Sequence, residues 1–282
     1  MNSDRNDVVI WLNGSFVPSS EAAISPFDRG FLFGDGLFET LRAQDGRILH
    51  HEEHLARLNR SAEALRIMVD PDVDFAGTSL ELLRMNALER AVCRVKWIVS
   101  RGDLTGMGLP ICEKPTVMVT AERYDPPGPD QYASGQKVMI LPDEIPSSMA
   151  PHKSLAYQFY LACRQKALDT GFDDCIICDS NGNVAETSIA SLLLFDSETW
   201  IVPASPFRLP GVTVSIVKRL MQQSGMTVVT EPVPVGDLKI MKTVWMLNSM
   251  LGIMPVSLID DVPMPNLQSD LAGNLRNALF DG

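Results

Sequence analysis

The sequence predicts an α+β fold in two domains, on three observations. Short stretches rich in Val, Ile, Leu and aromatic residues recur between turn signals, as meanders rather than a regular strand–helix–strand series. Amphipathic helical stretches are interleaved with them. Residues 124–136, "YDPPGPDQYASGQ", hold three prolines and two glycines and read as a linker between domains at 1–123 and 137–282. With 282 residues, 45% of them hydrophobic, the chain has the means to bury a large core.

The first domain opens on "DVVIWLNGSFVPSS", two strands joined at Asn13-Gly14, a strong hairpin signal. "FDRGFLFGDGLFETLRA" brings glycines at 30, 34 and 36 ahead of an alternating strand. In "HEEHLARLNRSAEALRI", Leu55, Leu58, Ala62 and Leu65 mark one helical face. A helix in "DFAGTSLELLRMNALERA" precedes strands in "CRVKWIVSRG" and "PTVMVTAERY". In the second domain, "KVMILPD" reads as a strand, with Lys153 at the mouth of the following helix, "AYQFYLACRQKALDTG". That helix stops at Gly171. Three strands then run from "DDCIIC" to "WIVP", followed by a helix in "LPGVTVSIVKRL". The stretch "TVWMLNSMLGIMPVSLID" is strand, turn, strand.

Net charge is −11, which argues against a general nucleic-acid binder, because such a protein needs a basic stripe to meet phosphates. No apolar run is long enough to span a bilayer, and the first residues do not resemble a signal peptide. Five cysteines without a disulfide-framework spacing suit a reducing cytoplasm. The pair Cys175 and Cys178 sits in a strand with no second such pair, which favours buried small hydrophobes over a metal or redox site. No metal centre is expected.

Glycines 30, 34 and 36 do not match a dinucleotide fingerprint, no P-loop lysine follows, and a tight turn explains them better. A different set of parts carries chemistry. Leu-Pro-Gly ahead of a helix directs the backbone N–H groups of Val212 and Thr213, with the Thr213 hydroxyl, outward at a positive helix end, a seat for a phosphate. Arg57 can add a bidentate fork. Together with Lys153 and Glu186 these are the requirements of pyridoxal 5'-phosphate: an amine for a Schiff base, a carboxylate for the pyridine nitrogen and a phosphate clamp.

Six segments in order, "WLNGSFVP", "DRGFLFGDGLFETLR", "HLARLNRSA", "HKSLAYQ" with "GFDDCIICDSNGNVAETSIASLLLF", "LPGVT" and "LNSMLGIMPV", resemble the branched-chain-aminotransferase-like group of pyridoxal-phosphate enzymes, fold type IV. That group includes D-amino acid aminotransferases and aminodeoxychorismate lyase. The resemblance implies the D-amino acid aminotransferase-like fold and a homodimer. It implies Lys153 as the Schiff-base lysine and Glu186 as the pyridine partner. Arg57, Val212, Thr213 and Ser249 would hold the phosphate, and Tyr157 would lie near the ring hydroxyl.

Within the group, "GDGLFETLR" and "LNSMLGIMPV" look like the lyase, which converts 4-amino-4-deoxychorismate to 4-aminobenzoate and pyruvate in folate biosynthesis. Lys96 and Asn248 would then bind substrate, and Thr40 would donate a proton near the departing enol-pyruvyl oxygen. Met107 stands where lyases often carry arginine, and Ala156 and Ser191 stand where asparagine is common in the group. The alternative is an aminotransferase acting on branched-chain or D-amino acids, or an amine, with a 2-oxo acid acceptor. A non-catalytic cofactor-binding homologue is a third reading, but it would have no physical need for both Lys153 and Glu186.

Overall fold

The computed structural model describes residues 8–265 and 268–281. They divide into two compact units, one holding the described residues up to Pro126 together with His152–Ala156, the other Pro127–Pro151 and Tyr157 onward.

In unit 1, β1 (Val9–Leu12) and β2 (Ser15–Pro18) form the expected hairpin, with Asn13 and Gly14 both at positive φ, 48° and 95°. A single turn, α1 (Arg29–Phe33), leads into β3 (Gly36–Gln44) and the short β4 (Arg47–Ile48). Helices α2 (His51–Leu65) and α3 (Phe75–Met85) follow, then β5 (Cys93–Ser100) and β6 (Thr116–Arg123). Glu52 and Glu53 stand in the first turn of α2, where the helix dipole favours them, and Asp74 caps α3 by accepting from the Gly77 N–H. The six strands are ordered β2-β1-β6-β5-β3-β4, antiparallel throughout. Leu37, Leu41, Val95, Trp97 and Val119 on one face pack with Leu58, Ala62, Leu82 and Leu83. The other face stays half-buried.

Unit 2 contains α4 (Pro129–Ser134), β7 (Gln136–Leu141), α5 (Gln158–Asp169), β8 (Asp174–Cys178), β9 (Val184–Thr187), β10 (Ser191–Phe195) and β11 (Trp200–Pro203). After these come α6 (Val212–Gln223), β12 (Val228–Glu231), β13 (Thr243–Asn248), β14 (Gly252–Ile259), β15 (Val262–Pro263) and α7 (Ser269–Asp281). Strands run in the order β12-β11-β10-β13-β14-β7-β8-β9, with β15 on β14. Here the meander expectation needs correcting. The pairs β7/β8 and β11/β12 are parallel, with α5 and α6 as their crossovers. A parallel pair cannot be closed by a tight turn, so each needs its helix. Strand alternation sends Leu192, Leu194 and Met246 into one core and Leu193, Trp245 and Leu247 into another, beneath α6 and α7.

Two further expectations change. Half of the segment read as a linker folds as α4, begun by Pro129, whose fixed φ suits a first helical turn. Lys153 is not at the mouth of α5. It lies on an extended piece, His152–Ala156, that joins unit 1 by pairing with the start of β3: the Phe38 N–H donates to the Lys153 carbonyl and the Leu155 N–H to that of Gly36, both at 2.9 Å. Gly36 is what permits this approach, because a Cβ there would meet Leu155 Cδ1 at 2.6 Å and the Val99 carbonyl oxygen at 2.7 Å. Cys175 and Cys178 are both buried in β8, as small hydrophobes should be. Among the described residues no helix is long and apolar enough to cross a membrane, and no group of three His, Cys, Asp or Glu could hold a metal.

Candidate active site

In unit 1 the half-buried face of the sheet gathers the amines. Register sets Thr40 opposite Lys96 and Phe38 opposite Ile98, so side chains of 38, 40, 96 and 98 share one face. Lys153 Nζ stands 4.6 Å from the Phe38 ring centroid and Lys96 Nζ 5.8 Å from it. Phe38 thus has a cation-bearing side chain on each of two approaches, a contact that aromatic quadrupoles favour.

Behind that sheet, Glu39 points the other way. Arg57 donates through Nε to Oε1 at 2.8 Å and through Nη2 to Oε2 at 2.5 Å, and His54 Nδ1 lies 2.7 Å from Oε2. All three residues are buried. Burial by itself would raise the Glu39 pKa, but Arg57 and His54 bring it down to about 2. Burial lowers that of His54, against the pull of Glu39, so its ring is favoured neutral. The Nε/Nη2 edge of Arg57 is thus engaged by the Glu39 carboxylate. The signal was present in the sequence: Glu39 sits at an inward position of an alternating strand, where a carboxylate requires a partner.

In unit 2, Glu186 is buried near the end of β9. Its Oε1 accepts from the Tyr160 hydroxyl and its Oε2 from the Leu209 N–H, each at 3.0 Å. Tyr157 stacks on Tyr160 with centroids 5.0 Å apart and donates its hydroxyl to the Ser188 carbonyl at 2.6 Å. Burial and the charges of Glu186 and Asp174 push the Tyr157 pKa far above its ordinary value, so the phenol remains a donor. Tyr160 and the 188–191 turn were not foreseen from the sequence.

That turn organises the rest of unit 2. Asn248 Nδ2 donates to the Ile189 carbonyl at 3.2 Å, and its Oδ1 accepts from the N–H groups of Met250 and Leu251 at 2.9 and 2.7 Å. The Asn248 amide thus braces the turn that carries Ser249. A Cβ placed on Gly211 at the N-cap of α6 would meet the Ser191 Oγ at 2.3 Å, so a larger residue there would require the Ser191 hydroxyl to turn aside. No side chain caps that helix. Val212 and Thr213 stand in its first turn and are buried, as are Val214, Ile216 and Val217, which anchor the helix in the core. Arg208, one residue before Leu209, feels the Glu186 charge, yet burial lowers its pKa.

The chain belongs to the class IV aminotransferase family, whose profile matches residues 36–259. It is 32% identical over 263 residues to a putative branched-chain-amino-acid aminotransferase of Methanocaldococcus jannaschii, covering 92% of this chain and 90% of that one. It is 26% identical over 257 residues to the aminodeoxychorismate lyase of Bacillus subtilis, covering 90% and 87%. Among solved structures, the branched-chain amino acid aminotransferase of Escherichia coli superposes with a TM-score of 0.87 at 21% identity, covering 97% of this chain and 93% of that one. A hypothetical aminotransferase from Mycobacterium tuberculosis, solved in its PLP-bound form, gives 0.82 at 23%, covering 96% of this chain and 98% of that one. These structures establish the mixed fold-type IV architecture.

Proposed function

We propose that this protein is a pyridoxal-phosphate-dependent aminotransferase that moves an amino group between an amino acid, first of all a branched-chain one, and a 2-oxo acid. The observation that carries the reading is the identity with the archaeal aminotransferase across nearly the whole of both chains. The chemistry of this chain's residues fits the cofactor. Glu186 is a buried carboxylate whose oxygens accept from the Tyr160 hydroxyl and the Leu209 N–H, an acidic group of the type a pyridine N–H would need. No side chain caps the first turn of α6, which leaves its N–H groups to an anion.

When bound, pyridoxal 5'-phosphate supplies a ring that draws off the electron pair left as a substrate Cα–H breaks. Lys153 would hold the cofactor through its amine and, as a free amine, would take and return the substrate Cα proton. Glu186 would keep the pyridine nitrogen protonated and Tyr157 would lie near the ring hydroxyl. The Val212 and Thr213 N–H groups, the Thr213 hydroxyl, Ser249 and Arg57 would hold the phosphate, with Arg57 acting through a donor other than its Nε/Nη2 edge. Lys96 attracts the substrate carboxylate at the Phe38 face.

The lyase is the second reading, favoured by one observation: Thr40 lies directly opposite Lys96, where a hydroxyl donor and a cation reach the same face. The deciding experiment offers aminodeoxychorismate alone in one assay, and L-leucine or D-alanine with 2-oxoglutarate in another. An aminotransferase stalls after one half-reaction without the keto acid, whereas a lyase releases pyruvate without an acceptor. We expect turnover that requires the keto acid. Lys153→Ala should fold, lose the visible absorbance of cofactor-loaded protein and lose activity by several powers of ten. Full turnover of that variant would remove Lys153 from its role.

The working unit is a homodimer in this proposal. Phe27, Phe31, Phe33 and Met107 are exposed on α1 and the neighbouring loops, Met107 to 92%. The loop of Met107 is tied to α1 by Arg29, which donates to the Gly106 and Gly108 carbonyls. A firm apolar patch of this kind asks for a partner surface, and a monomer in light scattering would refute the dimer.

A further inference from the structure

Tyr160 stands in the first turn of α5 with its ring fixed on both sides. It stacks on Tyr157 at an interplanar angle of 27° and receives Phe159 edge-on, with centroids 5.2 Å apart. Its hydroxyl donates to Glu186 Oε1 while the Leu209 N–H donates to Oε2. A carboxylate gripped at both oxygens cannot turn about its last bond. Each donor needs a lone pair on the oxygen it meets, so the carboxylate serves both as an acceptor. We propose that Tyr160 is a positioning residue for Glu186, fixing the plane of the carboxylate and keeping it a hydrogen-bond acceptor, so that the shared proton stays on the cofactor nitrogen. This rests on the reading of Glu186 as the pyridine partner. Burial and the adjacent Glu186 charge push the phenol far above its ordinary pKa, which is consistent with Tyr160 acting as a donor throughout the working range.

Tyr160→Phe keeps the ring stack and removes only the donor. In the loaded enzyme, kcat should fall roughly tenfold, the usual scale for one hydrogen bond to a charged group, with KM changed far less. The pH midpoint of the visible absorbance band should move. Replacing Tyr160 with 3-fluorotyrosine, a stronger donor, should move it the other way. In the Glu186→Gln background, Tyr160→Phe should cost little more, because the carboxylate it serves is gone. Unchanged kcat with an unmoved midpoint, or losses that simply multiply in the double variant, would overturn the proposal. A merely structural tyrosine would lower the melting temperature without moving the midpoint. If wild-type protein titrated with pyridoxal 5'-phosphate develops no visible band, the functional reading itself fails, a different result from an insensitive Tyr160. Should Tyr160→Phe not fold, the 3-fluorotyrosine protein alone decides, and an unmoved midpoint there refutes the role.

Discussion

The two units each bury a glutamate, and they treat it in opposite ways. Glu39 in unit 1 is closed in by Arg57 and His54, so its charge is already met by a cation. Glu186 in unit 2 accepts from a phenol and a backbone N–H, with the buried Arg208 guanidinium feeling its charge. Hydrogen-bond donors make burial of an anion tolerable. In unit 1 those donors belong mainly to an ion pair, and in unit 2 to a phenol and a backbone amide. Both are buried; the company differs.

Breaking the ion cluster should have the largest effect on folding. Glu39→Ala leaves the Arg57 guanidinium buried without its counter-charge, at a cost of about 3–5 kcal/mol. Denaturant unfolding would measure it, and a loss below about 1 kcal/mol would show that the cluster is not what holds α2 to β3. The matching change in unit 2 should spare stability and strike activity. Glu186→Gln preserves the shape and removes the charge, so turnover should fall roughly a hundredfold, the scale of one preorganised electrostatic contact, while the melting temperature moves little. Loss of cofactor affinity with turnover of the loaded enzyme intact would instead make Glu186 structural.

The smallest effect expected is one of pH, and it separates the units further. The His54 pKa is lowered in the fold, so the unfolded chain takes up a proton below about 6.5 that the native ring resists. Stability in unit 1 should therefore decline as pH falls from that value. Glu39, at about 2 in the fold against its ordinary value of 4.5, adds a second decline between those two values. His54→Gln should remove the first decline and leave the second, as read by melting temperature against pH. A profile for His54→Gln identical to wild type between about pH 7 and pH 5 would mean that His54 does not set it.

The preference for a lyase, drawn from "GDGLFETLR" and "LNSMLGIMPV", is not what the wider likeness supports, since the archaeal aminotransferase is more similar over the same span than the bacterial lyase. Those motifs lie where the fold demands them. Gly36 is required by the approach of Leu155, and Asn248 by the turn it braces. A motif under structural demand says little about substrate.

The local elements were readable in advance because their causes are local. The spacing of Leu58, Ala62 and Leu65 announces α2, and Asn13-Gly14 announces the hairpin, since each depends on residues within a few positions of one another. The order of motifs was also enough to propose Lys153 and Glu186 as the residues that meet the cofactor. What the order could not reveal was the neighbours of each residue. Arg57 meets Glu39 across 18 positions, Tyr160 meets Glu186 across 26, and Lys153 leaves its own stretch of chain to pair with β3. Such pairings depend on sheet register and on crossovers that bring distant segments side by side, and no short window of sequence contains the cause. Residue type and motif order therefore named the chemistry. Only the folded backbone decided that Arg57 would turn to a carboxylate, that Asn248 would brace a turn, and that a tyrosine would hold Glu186.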